Sequence, residues 1–132
     1  MYEVQVTQRS QAISTTTEED IRDFAITIAD VLADTPANHT RVMDIRSIST
    51  LADFFVISSG ENERQLRAIT RQLTEELASR QARPSKIEGD AASGWILIDY
   101  GDVVVHVFSD ELRSFYNLEE LWQDAPVVLD IQ

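Results

Sequence analysis

The chain has 132 residues, of which 43% are hydrophobic and 26% are charged, a composition that suits one compact domain with a single core. The absence of cysteine excludes disulfide scaffolds and thiolate metal sites, and with no apolar run long enough for a membrane span or a secretory signal we expect a cytoplasmic protein. Its 11 basic and 23 acidic residues give a formal net charge of −12, which disfavours direct binding of nucleic acid and favours a basic protein partner.

The N-terminal segment, residues 1–16, is polar and shows no sustained periodicity. It predicts a flexible arm that includes a brief strand at residues 2–6. A single folded domain is expected over residues 17–126, followed by a C-terminal tail at residues 127–132.

Two amphipathic helices are predicted within this domain. The first begins at a cap formed by Thr17 and Asp20, and its apolar stripe runs from Ile21 to Leu32. The second begins at Asn62, a good capping residue, and ends near Arg80. Its buried face is expected at Leu66, Ile69, Leu73 and Leu77.

Two short strands are predicted before the second helix in the chain, and one is predicted after it. Residues 42–48 carry apolar side chains two positions apart, and the continuous apolar run at 54–57 predicts a strand buried on both faces. A short strand is predicted at residues 86–88.

A β-hairpin is the clearest local signal. Residues 95–100 and 103–108 are rich in strand-forming side chains, and Gly101 and Asp102 between them suit a two-residue turn. This turn pairs Ile98 with Val105 and predicts one wholly apolar side. The opposite side is mixed: it carries Trp95, Leu97, Asp99, Val104, His106 and Phe108.

Helical turns at residues 109–116 and 118–122 complete the predicted elements. Their order gives an α/β (α+β) fold: a mixed β-sheet of about five strands with flanking helices.

The residues that could carry chemistry are few. Asp99 and His106 lie within diagonal reach on the hairpin, but no serine or cysteine nucleophile motif accompanies them, so packing or recognition is favoured over catalysis. His39 and His106 lie on different elements, and we expect no metal and no cofactor. An arginine stripe at Arg64, Arg67 and Arg71 is typical of a solvated helix face, although it could also hold an acidic neighbour.

Several motifs in one order resemble those of the ribosomal silencing factor family, also called the Iojap or RsfS family. They are ADFFVI at 52–57, SGENERQLRAI at 59–69, Glu88 with Gly89, WILIDYGDVVVHVF at 95–108 and RSFYNLEELWQDA at 113–125. Two departures are modest, Ala52 in place of threonine and Asn62 in place of serine. The resemblance implies a fold similar to nucleotidyltransferases without their catalytic motif.

The resemblance also implies a function. It predicts a translation repressor, not an enzyme, that binds the large ribosomal subunit through universal large-subunit ribosomal protein fourteen. Occupancy there would block joining of the small subunit and lower protein synthesis in starvation. The residues implied to bind the ribosomal protein are Glu88, Trp95, Asp99, Tyr100, Gly101, Asp102, His106, Arg113 and Tyr116.

Two other functions stay open on the residues alone. One is a magnesium-dependent nucleotidyltransferase-like enzyme that uses Asp53, Asp99 or Asp102. The other is a generic adaptor whose hairpin binds another basic protein. A homodimer of the free protein is also plausible, because apolar groups on the hairpin would otherwise be exposed.

Overall fold

The computed structural model describes residues 18–132. The predicted strand at residues 2–6 and the predicted helix cap at Thr17 lie outside these residues. The described elements are α1 (Glu18–Leu32), β1 (Asn38–Asp44), β2 (Phe54–Gly60), α2 (Glu63–Ser79), β3 (Lys86–Asp90), β4 (Trp95–Asp99), β5 (Val103–Ser109), α3 (Asp110–Tyr116), α4 (Leu118–Leu121) and β6 (Val127–Ile131).

Residues 18–132 form one six-stranded mixed sheet with the order β3-β4-β5-β2-β1-β6. Strand β2 pairs in parallel with β5, and the other neighbouring pairs are antiparallel. Every residue of β2 is buried, as the continuous apolar run predicted for a strand covered on both faces. The expected α+β fold class is thereby confirmed.

The two faces of the sheet are covered by different helices. Helices α1 and α2 pack their apolar stripes on one face, and the predicted buried face of α2 is confirmed. Asn62 caps α2 by accepting the Gln65 backbone N–H at 2.9 Å. On the other face, Leu112 of α3, Leu118 of α4 and Trp122, which directly follows α4, join a smaller core with Phe55 and Phe108. The short helices leave part of that face open, and this opening becomes the candidate site.

The hairpin has the predicted register. Ile98 lies opposite Val105 and Ile96 opposite Val107, and both pairs face the α1 and α2 side of the sheet. The Tyr100 backbone N–H donates to the Val103 carbonyl at 2.9 Å and closes the turn.

Two predictions about strands need correction. The sheet has six strands rather than about five, because the segment predicted as a C-terminal tail contains β6, which pairs with β1. Strand β1 begins at Asn38 and ends at Asp44, earlier at both ends than the predicted strand at 42–48. In both cases hydrogen bonds to a neighbouring strand decide which residues form the strand, and the local pattern of apolar residues cannot predict those bonds. Among residues 18–132, no helix is both long enough and apolar enough to cross a membrane.

Candidate protein-binding site

A groove of about 330 Å³ lies between the open face of the hairpin and helix α3. Its lining residues are Glu88, Gly89, Ser93, Trp95, Leu97, Leu112 and Tyr116. Three of the predicted site residues therefore come together here: Glu88, Trp95 and Tyr116. The Trp95 and Tyr116 rings lie 4.9 Å apart between centroids and form one aromatic surface of the groove.

Strand alternation aims these side chains at the groove. Glu88 lies opposite Leu97 on the neighbouring strand, and Leu97 lies opposite His106, so all three share one face. Gly89 permits the close pairing of β3 with β4: its φ is +78°, and a Cβ there would lie 2.1 Å from the Trp95 carbonyl oxygen. The exposed Glu88 carboxylate forms a 2.8 Å ion pair with Lys86 at the outer edge.

An aromatic row crosses this face of the sheet from α4 to α3. We define it as Trp122, Phe55, His106, Trp95 and Tyr116. Successive ring centroids along it are 5.5, 4.7, 6.0 and 4.9 Å apart. Contacts of this length are typical of packed aromatic side chains, so the exposed end of the row is held by its buried middle.

His106 is the buried centre of that row, with 4% of its surface exposed. Its Nδ1 accepts a hydrogen bond from the Trp95 indole Nε1 at 3.2 Å. Burial lowers the pKa of His106 to about 4, so the imidazole is neutral near pH 7. The carboxylate considered as its partner is engaged elsewhere: Asp99 Oδ1 accepts the Gly101 backbone N–H at 2.7 Å. Asp99 thus stabilises the turn of the hairpin.

Gly101 and Asp102 form the exposed tip of the hairpin, at one end of the sheet. The Asp102 carbonyl accepts the backbone N–H groups of Asp53 at 2.8 Å and Phe54 at 3.1 Å, which fixes the tip to β2. Burial, and then the charge of Asp102, raise the pKa of Asp53. Across residues 18–132, no three histidine or carboxylate side chains gather closely enough to hold a metal ion.

Tyr100 faces away from the groove. Its ring packs edge-on against Phe24 of α1, with centroids 5.7 Å apart, on the opposite face of the sheet. Burial raises the pKa of Tyr100 to about 12, and its buried hydroxyl has no hydrogen-bond partner within the described part of the chain.

Arg113 lies in a buried polar network rather than on an open surface, with 9% of its area exposed. It donates to the His39 carbonyl at 2.6 Å, to Ser59 Oγ at 3.2 Å and to the Glu119 carboxylate at 2.8 and 3.1 Å. The hydrogen bond from Arg113 lowers the pKa of Glu119. These contacts join α3 and α4 to β1 and β2, so Arg113 supports the helix that forms one wall of the groove.

The nine predicted site residues therefore occupy distinct places. Glu88, Trp95 and Tyr116 line the groove, and His106 lies beneath it. Asp99, Gly101 and Asp102 form the tip, Tyr100 lies on the opposite face of the sheet, and Arg113 lies in the buried network. The sequence interpretation did not place four of the groove residues in the site: Gly89, Ser93, Leu97 and Leu112. Alternation along β4 places Leu97 beside Trp95 and was a usable signal. Leu112 depends on how α3 docks, which no local pattern shows.

The arginine stripe of α2 lies on a charged helix face. Arg67 forms an ion pair with Glu63, and Arg71 lies 3.9 Å from Glu75. Both arginine side chains are 61% exposed. These are i,i+4 pairs on one solvated face, in agreement with the interpretation that sequence favoured.

Comparison with known proteins identifies the family. Residues 18–132 match the family described as "Ribosomal silencing factor during starvation". The chain belongs to this family. The prediction from its motifs is thereby confirmed, and membership supports a ribosome-associated role in the regulation of translation.

Individual relatives agree with this assignment. The ribosomal silencing factor of Bacillus subtilis is 42% identical over 94 residues, which cover 71% of this chain and 80% of that protein. The ribosomal silencing factor of Zymomonas mobilis is 39% identical over 105 residues, covering 76% and 79% respectively. A crystal structure of a protein from Bacillus halodurans superposes with a TM-score of 0.71 at 34% identity and covers 82% of this chain and 98% of that one.

Proposed function

We propose that this protein binds the large ribosomal subunit through universal large-subunit ribosomal protein fourteen, blocks association with the small subunit, and thereby lowers protein synthesis in starvation. It acts in the cytoplasm and by occupancy, without a catalysed reaction. Membership of the silencing factor family supports a ribosomal target. The surface of the groove supports a protein as the direct partner.

The observation that carries the proposal is the aromatic groove on a strongly acidic domain. Trp95 is half-buried in the groove and Tyr116 is 48% exposed beside it. Phe115, 75% exposed, contacts Tyr116 with ring centroids 5.1 Å apart. Aromatic side chains of this kind anchor protein interfaces, and the net charge of −12 speeds encounter with a basic protein.

Steric exclusion requires only that the protein stay bound to the large subunit. A 14.9 kDa domain seated on a surface where two subunits must meet prevents their contact for as long as it stays bound. Affinity then decides the strength of silencing, since no covalent change outlasts dissociation.

The same exposed side chains favour a homodimer of the free protein. Phe115 and Tyr116 form a continuous apolar surface that a second copy would cover. Dimerisation would then compete with ribosome binding for one surface.

The test is Trp95→Ala, assayed by sedimentation of purified protein with separated ribosomal subunits. We expect binding to the large subunit to weaken by about 2 kcal/mol, or roughly 30-fold, as for an aromatic anchor. Subunit association measured in the same samples should recover in parallel. The matched control, Arg67→Ala, changes an exposed residue of α2 on the opposite face. Unchanged large-subunit binding by Trp95→Ala, or binding to the small subunit instead, refutes the proposal.

A further inference from the structure

His106 lies directly beneath the groove, in contact with a residue that lines it but covered from solvent. It is 4% exposed, whereas Trp95, its neighbour in the aromatic row, lines the groove. A bound protein would therefore touch the indole of Trp95, and the imidazole beneath it would stay covered.

The hydrogen bond between the two rings fixes the state of His106. An indole N–H can only donate, so the imidazole Nδ1 must accept and must carry no proton. The proton of the neutral ring is therefore on Nε2, which is buried and has no hydrogen-bond partner among residues 18–132. The pKa of His106, which burial lowers to about 4, agrees with this neutral form.

The surroundings of His106 leave it little freedom to move. Phe55 packs against it edge-on with centroids 4.7 Å apart, and Phe108 lies parallel to it at 6.1 Å. Asp99, the nearby carboxylate of the hairpin, is held by the Gly101 N–H. Packing against these two rings thus holds the acceptor that His106 presents to Trp95.

We infer that His106 is a positioning residue for the groove: its Nδ1 holds the Trp95 indole in the orientation that contacts the partner, and His106 makes no contact with that partner itself. This inference rests on the proposed function for the role of Trp95. It assigns His106 a task different from that of the exposed site residues, and one that depends on hydrogen-bond acceptance rather than on charge.

The variants His106→Asn and His106→Leu test the inference as a matched pair. Asn and Leu are similar to each other in size and shape, and both are smaller than the imidazole ring. The Asn carbonyl oxygen can accept a hydrogen bond from the indole N–H, whereas Leu cannot. We expect His106→Leu to bind large subunits about fivefold more weakly than the wild type, the usual effect of one lost hydrogen bond, and His106→Asn to recover most of that loss.

The indole N–H of Trp95 gives a readout that does not require the ribosome. Its resonance in ¹H–¹⁵N spectra is assigned by comparison with Trp122→Phe, because the chain has two tryptophans. In His106→Leu we expect this resonance to shift upfield and to exchange with solvent faster, and in His106→Asn to stay close to that of the wild type. Equal indole spectra and equal binding in the two variants would overturn the inference. If the spectra differ as expected but Trp95→Ala binds normally, the positioning stands and the proposed function fails.

Discussion

Acidification tests the buried state of His106 directly. The ordinary pKa of histidine is 6.5, and burial lowers that of His106 to about 4 in the folded protein. Between these two values the unfolded chain binds a proton that the folded chain refuses. The free energy of unfolding must therefore rise with pH from about 4 to about 6.5 and level off above that range.

The difference between the two pKa values sets the size of the effect. It corresponds to about 3 kcal/mol, which is a large share of the stability expected for a domain of this size. Nearly all of this loss should be complete at pH 4, the lower end of the range between the two pKa values. Because the side chain is only 4% exposed, screening by water should not reduce the effect much.

The assay is urea unfolding, followed by far-ultraviolet circular dichroism, of wild type and His106→Leu at a series of pH values from 4 to 7.5. Carboxylates such as Glu119, whose pKa is lowered by Arg113, titrate in both proteins and cancel in the difference. Relative to the variant, the wild type should lose about 3 kcal/mol between pH 7.5 and pH 4. His106→Asn also lacks the titrating ring, so its stability should depend on pH in the same way as that of His106→Leu. A difference that stays flat, or that grows in favour of the wild type on acidification, would refute the assignment of His106 as a buried neutral histidine.

Three further predictions concern stability, each measured by chemical unfolding at pH 7. Arg113→Ala should cost about 3 kcal/mol, because it leaves the partly buried Glu119 without its main partner, whereas Arg67→Ala on the exposed face of α2 should leave stability nearly unchanged; equal effects would refute the structural role of Arg113. Gly89→Ala should destabilise the protein more than Gly101→Ala, since both glycines have positive φ but only the Cβ at Gly89 would meet a backbone oxygen; the reverse order would contradict the β3–β4 pairing. Tyr100→Phe should stabilise the protein by about 1 kcal/mol, because it removes a buried hydroxyl that lacks a partner, and a loss of stability would show that the hydroxyl is hydrogen-bonded.

The hairpin shows how far local sequence can predict. Its register follows from the Gly-first turn and from side chains that alternate with a period of two, so the pairing of Ile98 with Val105 is predictable from the amino-acid order alone. The helix stripe from Leu66 to Leu77 and its Asn62 cap were predicted for the same reason. Interactions between near neighbours in the chain decide these features.

The candidate site was predicted less completely. Motifs grouped Glu88, Trp95 and Tyr116 as candidate site residues, and the structure places them in one groove. The same group contained Arg113 and Tyr100, which lie in a buried network and on the opposite face. Motif membership does not distinguish a side chain that touches a partner from one that supports the fold. Whether the nine residues bind a ribosomal protein stays a prediction.

Sequence by itself determined the family, the acidic charge, the main helices and the hairpin, since each depends on composition or on residues close together in the chain. Tertiary structure alone decided that the last five-residue strand joins the sheet beside β1, and that His106 accepts from Trp95 rather than pairing with Asp99. Both outcomes depend on groups that are distant in the chain and meet only in the fold. Val128, Leu129 and Ile131 of β6 pack on the main core, and the Trp95 indole packs beside the His106 imidazole.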